Sequence, residues 1–178
     1  MTQAVNLAAV GSNANSGGTL ISSGTAVAST SGTSIDFTGI PSWVKRITVM
    51  FNNVSLSSTA NFAIQLGTGG SVTSSGYNAS CGYVTTPNGA GSAGGANGTT
   101  SFLIQGGAGT YAVSGSMVFT NISGNTWVGQ GVFSNITTAA LVSMSGGSVT
   151  LSGVLNILRV TSTSTDTFDA GTVNILWE

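Results

Sequence analysis

The chain has 178 residues, of which only three are basic and four acidic, and it contains no histidine. With three basic residues and a net charge of −1, the chain has too few cations to neutralise the phosphates of a nucleic acid. Because it has no histidine, a Ser–His–Asp or Cys–His catalytic site within the chain is excluded. The hydrophobic fraction of 40% is sufficient for a core and too high for ordinary disorder. We therefore expect one folded domain that is not an enzyme and holds no cofactor or metal.

Residues 1–30 are small and polar and show no hydrophobic periodicity, and the segment 13–18 has the composition of a loop. We expect residues 1–30 to form an extended N-terminal attachment arm and residues 31–178 to form a β-sandwich domain. The first residues contain neither a basic segment nor a long apolar run. The sequence thus predicts no secretory signal and no membrane insertion.

From residue 34 onward, polar and apolar residues alternate with the period of half-buried β-strands. In the strongest segment, 43–54, one face is expected to carry Ile47, Val49 and Phe51. The predicted strands are 34–38, 43–54, 61–66, one or two within 72–84, 101–105, 111–120, 126–133, 139–145, 154–161 and 172–177. Turns are predicted at 39–42, 67–70, 106–109, 123–125 and 146–147, and a Ser/Thr/Asp loop is expected to end at 169–171. This pattern predicts an all-β fold, an antiparallel β-sandwich with jelly-roll-like topology.

The longest segment of strand-breaking residues is 86–98, which is almost entirely Gly, Ala, Ser and Asn. We expect it to be an exposed, flexible loop. Asn88 and Asn97 lie in this loop, and Tyr77 and Tyr83 lie near Gly-rich turns just before it. These four residues are the candidate surface contacts.

Opposite charges flank the turn at Pro41, with Asp36 before it and the pair Lys45 and Arg46 after it. A hairpin at this turn would bring Asp36 and Lys45 together as a structural ion pair. The alternative is a solvated, positively charged edge strand, which would discourage aggregation between sheets.

Two acidic residues, Asp166 and Asp169, lie close together near the C terminus. We expect them to organise their loop by accepting hydrogen bonds from backbone N–H groups, and one of them, Asp169, to pair with Arg159 across a closing hairpin. The alternatives are a bound cation and a glycosidase pair, which needs two carboxylates about 5–10 Å apart.

Cys81 is the only cysteine, so an intrachain disulfide is impossible, and we expect a small buried apolar side chain at this position. Trp43, Trp127 and Trp177 each lie in an apolar segment. Packing in the core or at a subunit interface is therefore favoured over stacking on sugars. Since the near-zero net charge gives little repulsion between copies, the composition also favours an oligomer.

Three segments have distinctive sequences: SIDFTGIPSWVKRITVMFN at 34–52, TDTFDAGTVNILWE at 165–178 and AVNLA at 4–8. The first two resemble a module of tailed-bacteriophage virion proteins, which often forms the C-terminal part of tail-fibre or fibre-like proteins and often has Tyr in place of Trp177. The third is similar to the start of such phage proteins. The two longer matches cover about a fifth of the chain.

The resemblance implies a structural virion protein, made in the host cytoplasm, that forms a homotrimer. It implies contacts with other virion proteins through the N-terminal arm and with a host-surface glycan or protein through displayed loops. No catalytic residue is carried over. Because no long shaft precedes the module, the alternative is a capsid decoration protein, a cement or head fibre that stabilises the shell. A glycan-active enzyme is the third reading.

Overall fold

The computed structural model describes residues 21–85, 92–106, 111–136 and 140–178, and in these ranges the chain forms fourteen strands and no helix. The predicted all-β class is confirmed. The strands are β1 (Ser22–Ser23), β2 (Val27–Ala28), β3 (Ser34–Thr38), β4 (Arg46–Leu56), β5 (Phe62–Thr68), β6 (Ser71–Val72), β7 (Asn78–Thr85), β8 (Ser92–Gly98), β9 (Phe102–Ile104), β10 (Val113–Ser123), β11 (Thr126–Ile136), β12 (Ala140–Thr150), β13 (Leu155–Ser162) and β14 (Phe168–Trp177).

The strands form two antiparallel sheets, an arrangement consistent with a β-sandwich. The nine-stranded sheet has the order β1-β14-β4-β10-β11-β12-β7-β8, and β2 also pairs with β14. The five-stranded sheet has the order β3-β13-β5-β6, and β9 also pairs with β5.

The core lies between the two sheets and is rich in aromatic side chains. Phe51 of the nine-stranded sheet meets Phe62 of the five-stranded sheet edge-on, with ring centroids 5.6 Å apart. Phe102 and Phe119 bridge the sheets in the same way at 4.9 Å. The inward faces predicted from alternation are confirmed, since the following residues are all buried: Ile47, Val49, Phe51, Phe62, Ile64 and Leu66.

The predicted loop over 86–98 is wrong in its second half, because residues 92–98 form the edge strand β8. All seven pair with β7, from Ala79 opposite Gly98 to Thr85 opposite Ser92. Backbone pairing along β7 therefore overrides the low strand propensity of Gly and Ala. The tyrosine ring of β7 also covers β8, since a Cβ on Gly94 would lie 2.7 Å from the ring of Tyr83. Residues 86–91, including Asn88, lie outside the described residues.

Two predicted breaks are also strand residues. Gly146 and Gly147 lie inside β12, where a Cβ on Gly147 would lie 2.5 Å from the Cα of Ala79. Glycine at this position therefore permits close approach of β7 and β12 rather than a turn. The predicted loop end at 169–171 lies in β14, which is interrupted there by register shifts opposite β4. By contrast, the turn at 123–125 is confirmed as the connection between β10 and β11.

The start of the strongest predicted strand is wrong as well. The N–H of Val44 donates to the carbonyl of Pro41, a turn that delays the strand until Arg46 and leaves Trp43 55% exposed. Of the expected N-terminal arm, the structure describes residues 21–30. Strands β1 and β2 in this range pair with β14.

Candidate functional site

Within residues 142–145, strand β12 carries its polar and apolar residues in the reverse of the usual sense. Ser143 and Ser145 point into the sandwich and are 1% and 8% exposed, whereas Val142 and Met144 point outward and are 46% and 54% exposed. A register shift of one residue would exchange these two faces. The shift does not occur because continuous pairing with β11 and β7 fixes the register and keeps Leu141 buried.

The neighbouring strands extend this exposed apolar surface. Val132 of β11 lies opposite Met144, and Val84 of β7 lies opposite Val142, and both are exposed. We call these four residues the outer apolar patch: Val84, Val132, Val142 and Met144. A shallow groove of about 480 Å³ adjoins the patch and is lined in part by Ser116, Val118 and Gln130.

Neither the patch nor the groove contains a charged residue. The face formed by β7, β10, β11 and β12 measures roughly 19 by 36 Å, or about 700 Å², from ordinary strand spacing and rise. A standard protein interface buries about 800 Å² on each partner. The outer face is therefore close in size to one side of a standard interface, and the outer apolar patch supplies its hydrophobic part.

The charged residues lie elsewhere, and the predicted ion pairs are wrong in their partners. Arg159 pairs with Asp36, through N–O distances of 2.6 and 2.7 Å, and not with Asp169. The closing hairpin does not form because β13 and β14 belong to different sheets, whereas β13 pairs with β3 and sets Arg159 directly opposite Asp36. The hydrogen bonds to Asp36, followed by its charge, raise the pKa of Arg159 against the opposing effect of burial.

Lys45 does not pair with Asp36, because the turn at Pro41 carries the chain from the five-stranded to the nine-stranded sheet. Instead, its Nζ donates to Oδ1 of Asn121 at 3.3 Å. The adjacent Arg46 forms a salt bridge of 2.9 Å with Glu178, the last residue of the chain.

The two C-terminal aspartates have separate structural partners. Asp166 accepts a hydrogen bond from the backbone N–H of Ala60 at 3.0 Å. Asp169 accepts one from the hydroxyl of Ser55. Asp166 thus links the C-terminal segment to the connection between β4 and β5, and Asp169 links it to the end of β4.

Tyr77 is 4% exposed, so its prediction as a surface contact is wrong. Strands β6 and β9 pair with opposite ends of the same edge of β5 and leave a gap at Leu66. The Tyr77 hydroxyl fills this gap: it accepts from the N–H of Leu66 at 2.8 Å and donates to its carbonyl at 3.2 Å. Burial raises the pKa of Tyr77 to about 12, although the Leu66 hydrogen bond lowers it.

The remaining candidate contacts lie around β7 and β8. Tyr83 is half-buried, and Asn97 is exposed on β8. Asn97 lines a second depression, of about 550 Å³, which we call the polar recess. Its other lining residues include Asn78, Ser80, Thr99, Gly146 and Gly147.

Cys81 is buried, as predicted, and burial raises the pKa of its thiol while a hydrogen bond with the Ala96 backbone lowers it. Trp127 is part of the core, and Trp177 is partly buried against the core. Trp43 is exposed. Packing in the core is therefore confirmed for Trp127 and, in part, for Trp177, whereas packing of Trp43 at a subunit interface stays a prediction.

Among the described residues, no three His, Cys, Asp or Glu side chains come together as a metal site. The same residues include no helix long and apolar enough to cross a membrane. Comparisons with protein-family models, with curated proteins and with solved structures gave no match. The outer apolar patch and the polar recess are both uncharged surfaces of the described residues.

Proposed function

We propose that the chain is a structural virion protein of a tailed phage and that it assembles as a homotrimer through the outer face of the nine-stranded sheet. The observation that carries the assembly step is the reversed alternation of β12, which buries Ser143 and exposes Val142 and Met144. Full burial of a Val or Met side chain is worth about 1.5–3 kcal/mol, so each half-exposed member of the patch gains about 1 kcal/mol when it is covered.

A second copy of the chain is the partner that this surface fits. The patch has no charge with which to select a charged partner, and a net charge of −1 gives copies little mutual repulsion. The estimated 700 Å² of the outer face is close to the area that a stable interface buries on one partner.

The phage assignment is based on the resemblance of segments 34–52 and 165–178, and their pairing supports it. Residues 47–52 of the first segment pair with residues 172–177 of the second through β4 and β14. The salt bridge between Arg46 and Glu178 joins the same two strands at one end. Two segments distant in sequence thus form one continuous structural unit, as expected of a shared module.

The proposal includes jelly-roll-like topology and an attachment role for residues 1–30. The pairing of β1 and β2 with β14 makes these residues part of the nine-stranded sheet, so the attachment role is assigned to the residues before β1. Three copies would present each weak surface contact three times, so that avidity replaces a single tight site.

Analytical ultracentrifugation tests the assembly step. We expect the native chain to sediment at three times its monomer mass of 17.5 kDa and the double variant Val142→Ser, Met144→Ser to sediment as a monomer. Val154→Ser is the matched control, because Val154 is 55% exposed but lies outside the patch, and it should stay trimeric. A monomeric native chain, or a patch variant that stays trimeric, would contradict the proposal.

Immunogold labelling of purified phage particles that encode this chain tests the virion role, with label expected at the tail fibres. Purified protein should also block adsorption of the phage to its host. Label on the capsid, together with protection of particles against heat and no effect on adsorption, would favour the decoration alternative. Particles without label would refute both.

A further inference from the structure

Two connections cross between the sheets at one end of the sandwich, and each exposes a large apolar side chain. Residues 39–45 lead from β3 to β4 and include Trp43, and residues 151–154 lead from β12 to β13 and include Val154. Trp43 and Val154 are both 55% exposed. Lys45, at the end of the first connection, is exposed as well. We call the surface formed by Trp43, Lys45 and Val154 the crossing end.

The crossing end is separate from the outer face through which the trimer is proposed to form. Neither connection is part of β7, β10, β11 or β12. The N–H of Ile40 donates to the carbonyl of Asn156 at 3.2 Å, which holds the start of the first connection against β13 of the five-stranded sheet. A trimer that covers the outer face therefore leaves the crossing end open.

The unpaired charges lie at opposite ends of the sandwich. Lys45 and Arg46 lie at the crossing end, whereas Asp166 and Asp169 lie at the other end, where β13 leads into β14. Arg46 pairs with Glu178, and Lys45 is the one basic side chain without a carboxylate partner among the described residues. The crossing end therefore carries a positive charge and the opposite end a negative charge.

The N-terminal segment joins the fold at the crossing end. Ser22 of β1 pairs with Trp177, and Trp177 pairs with Ile47 near the start of β4. Residues 1–20 therefore connect to the described structure on this side of the sandwich. Because the proposed attachment role belongs to the residues before β1, the partner in that attachment lies next to the crossing end.

We infer that the crossing end docks on another virion protein whose surface presents an apolar cavity flanked by carboxylates. This inference rests on the proposed function and adds to it a docking surface and the chemistry of the partner. Trp side chains are enriched among the residues that dominate binding energy, where they fill such cavities. A carboxylate near Lys45 would supply the opposite charge that this side chain lacks. Asp166 and Asp169 would repel the same partner, so only one end of the sandwich docks.

Rebinding of the full-length protein to phage particles produced without this chain tests the docking surface. The protein and the particles are mixed and sedimented, and the bound protein is quantified by immunoblot. We expect saturable binding of the native chain, at least tenfold weaker binding of Trp43→Ser and several-fold weaker binding of Val154→Ser. Because both side chains are half-exposed, both variants should fold and sediment as trimers.

The charge of Lys45 is tested in the same assay. Lys45→Gln should weaken binding several-fold, and raising the salt from about 50 to 500 mM should weaken binding of the native chain more than binding of this variant. Thr165→Glu is the matched control, because it changes the net charge by the same amount at an exposed position of the opposite end. It should bind as the native chain does.

Native-level binding of Trp43→Ser, or equal weakening by Lys45→Gln and Thr165→Glu, would overturn the inference and leave the virion role in place. If Trp43→Ser does not fold, native-level binding of both Lys45→Gln and Val154→Ser would overturn it. A native chain that does not bind the particles would overturn both the inference and the virion role.

Sedimentation of the protein without particles identifies the two other occupants of the crossing end. A native chain that sediments above the trimer mass, with Trp43→Ser returning to a trimer, would show that a second copy occupies this surface. A monomeric Trp43→Ser would place Trp43 in the trimer interface. Either result would overturn the inference.

Discussion

At the scale of single residues, Tyr77 shows how a polar group completes the interior of a sheet. The gap between β6 and β9 leaves the backbone of Leu66 without a strand partner on one edge of β5. A buried N–H without a partner costs about 1–3 kcal/mol, so a hydroxyl delivered by the core stabilises this point of the fold. The Tyr77 ring also packs edge-on against Phe102, at a centroid distance of 5.3 Å.

We expect Tyr77→Phe to lower the free energy of unfolding by about 1–3 kcal/mol, because the N–H of Leu66 loses its partner. The carbonyl of Leu66 keeps a hydrogen bond from the N–H of Thr73. Urea unfolding measures the change. Tyr83→Phe is the control, since that ring is only half-buried, and it should change stability by less than about 0.5 kcal/mol. Equal effects of the two substitutions would contradict the role assigned to Tyr77.

The contribution of Tyr77 to the free energy of unfolding also depends on pH. The folded state raises the pKa of Tyr77 from 10.0 to about 12, so it favours the neutral phenol. The contribution of Tyr77 to stability is therefore complete below pH 10 and is lost as the pH rises from about 10 to 12. The native chain should lose more stability than Tyr77→Phe over this interval, measured by urea unfolding at each pH.

At the scale of one element, β12 combines two buried serines in different situations. The Oγ of Ser145 donates to the carbonyl of Leu103 in β9, across the interior of the sandwich. The Oγ of Ser143 is buried and has no hydrogen-bond partner among the described residues. The hydroxyl of Ser145 thus stabilises the contact between the sheets, whereas the buried, unpaired hydroxyl of Ser143 lowers the free energy of unfolding.

These two serines predict opposite effects for the same substitution. Ser143→Ala should raise the free energy of unfolding by about 1 kcal/mol, because it removes an unpaired buried hydroxyl. Ser145→Ala should lower it by about 1–2 kcal/mol, because the Leu103 carbonyl loses a partner. Chemical denaturation of the two variants under one condition makes the comparison. Destabilisation of similar size in both variants would show that Ser143 has a partner.

At the scale of the whole molecule, the three basic residues are all held in paired backbone. Lys45 accepts a hydrogen bond from the N–H of Asn121, and Arg46 exchanges backbone hydrogen bonds with Glu178. Arg159 lies within β13, which is paired on both sides by β3 and β5. A protease needs an extended, unpaired segment of chain. The peptide bonds that follow Lys45, Arg46 and Arg159 therefore become accessible to trypsin only when the sheet opens.

We therefore expect the native chain to resist trypsin and to be cleaved at a rate that rises with urea concentration in parallel with unfolding. Gel electrophoresis of timed digests measures this rate. The whole segment 1–44 lacks Lys and Arg, so the result reports on the sheets rather than on the N-terminal segment. Rapid cleavage after Arg46 or Arg159 without denaturant would contradict the paired arrangement.

The sequence alone was sufficient for the fold class and for most of the core. Alternation with period two identifies the inward faces of β4 and β5, because these strands place consistent apolar residues on one side. The sequence also predicts correctly that Cys81 is buried, because a cysteine without a second cysteine or a basic neighbour is expected to behave as a small apolar side chain.

The tertiary structure alone decided which charges pair, which tyrosine is buried and which face of β12 is outward. In β12 both alternating faces contain apolar residues, so the pattern Leu-Val-Ser-Met-Ser favours burial of Val142 and Met144, the opposite of what the structure has. Pairing between strands distant in the sequence fixes that register and sets Arg159 opposite Asp36. Local alternation does not encode such pairing, because the free energy that selects it comes from contacts between segments far apart in the chain.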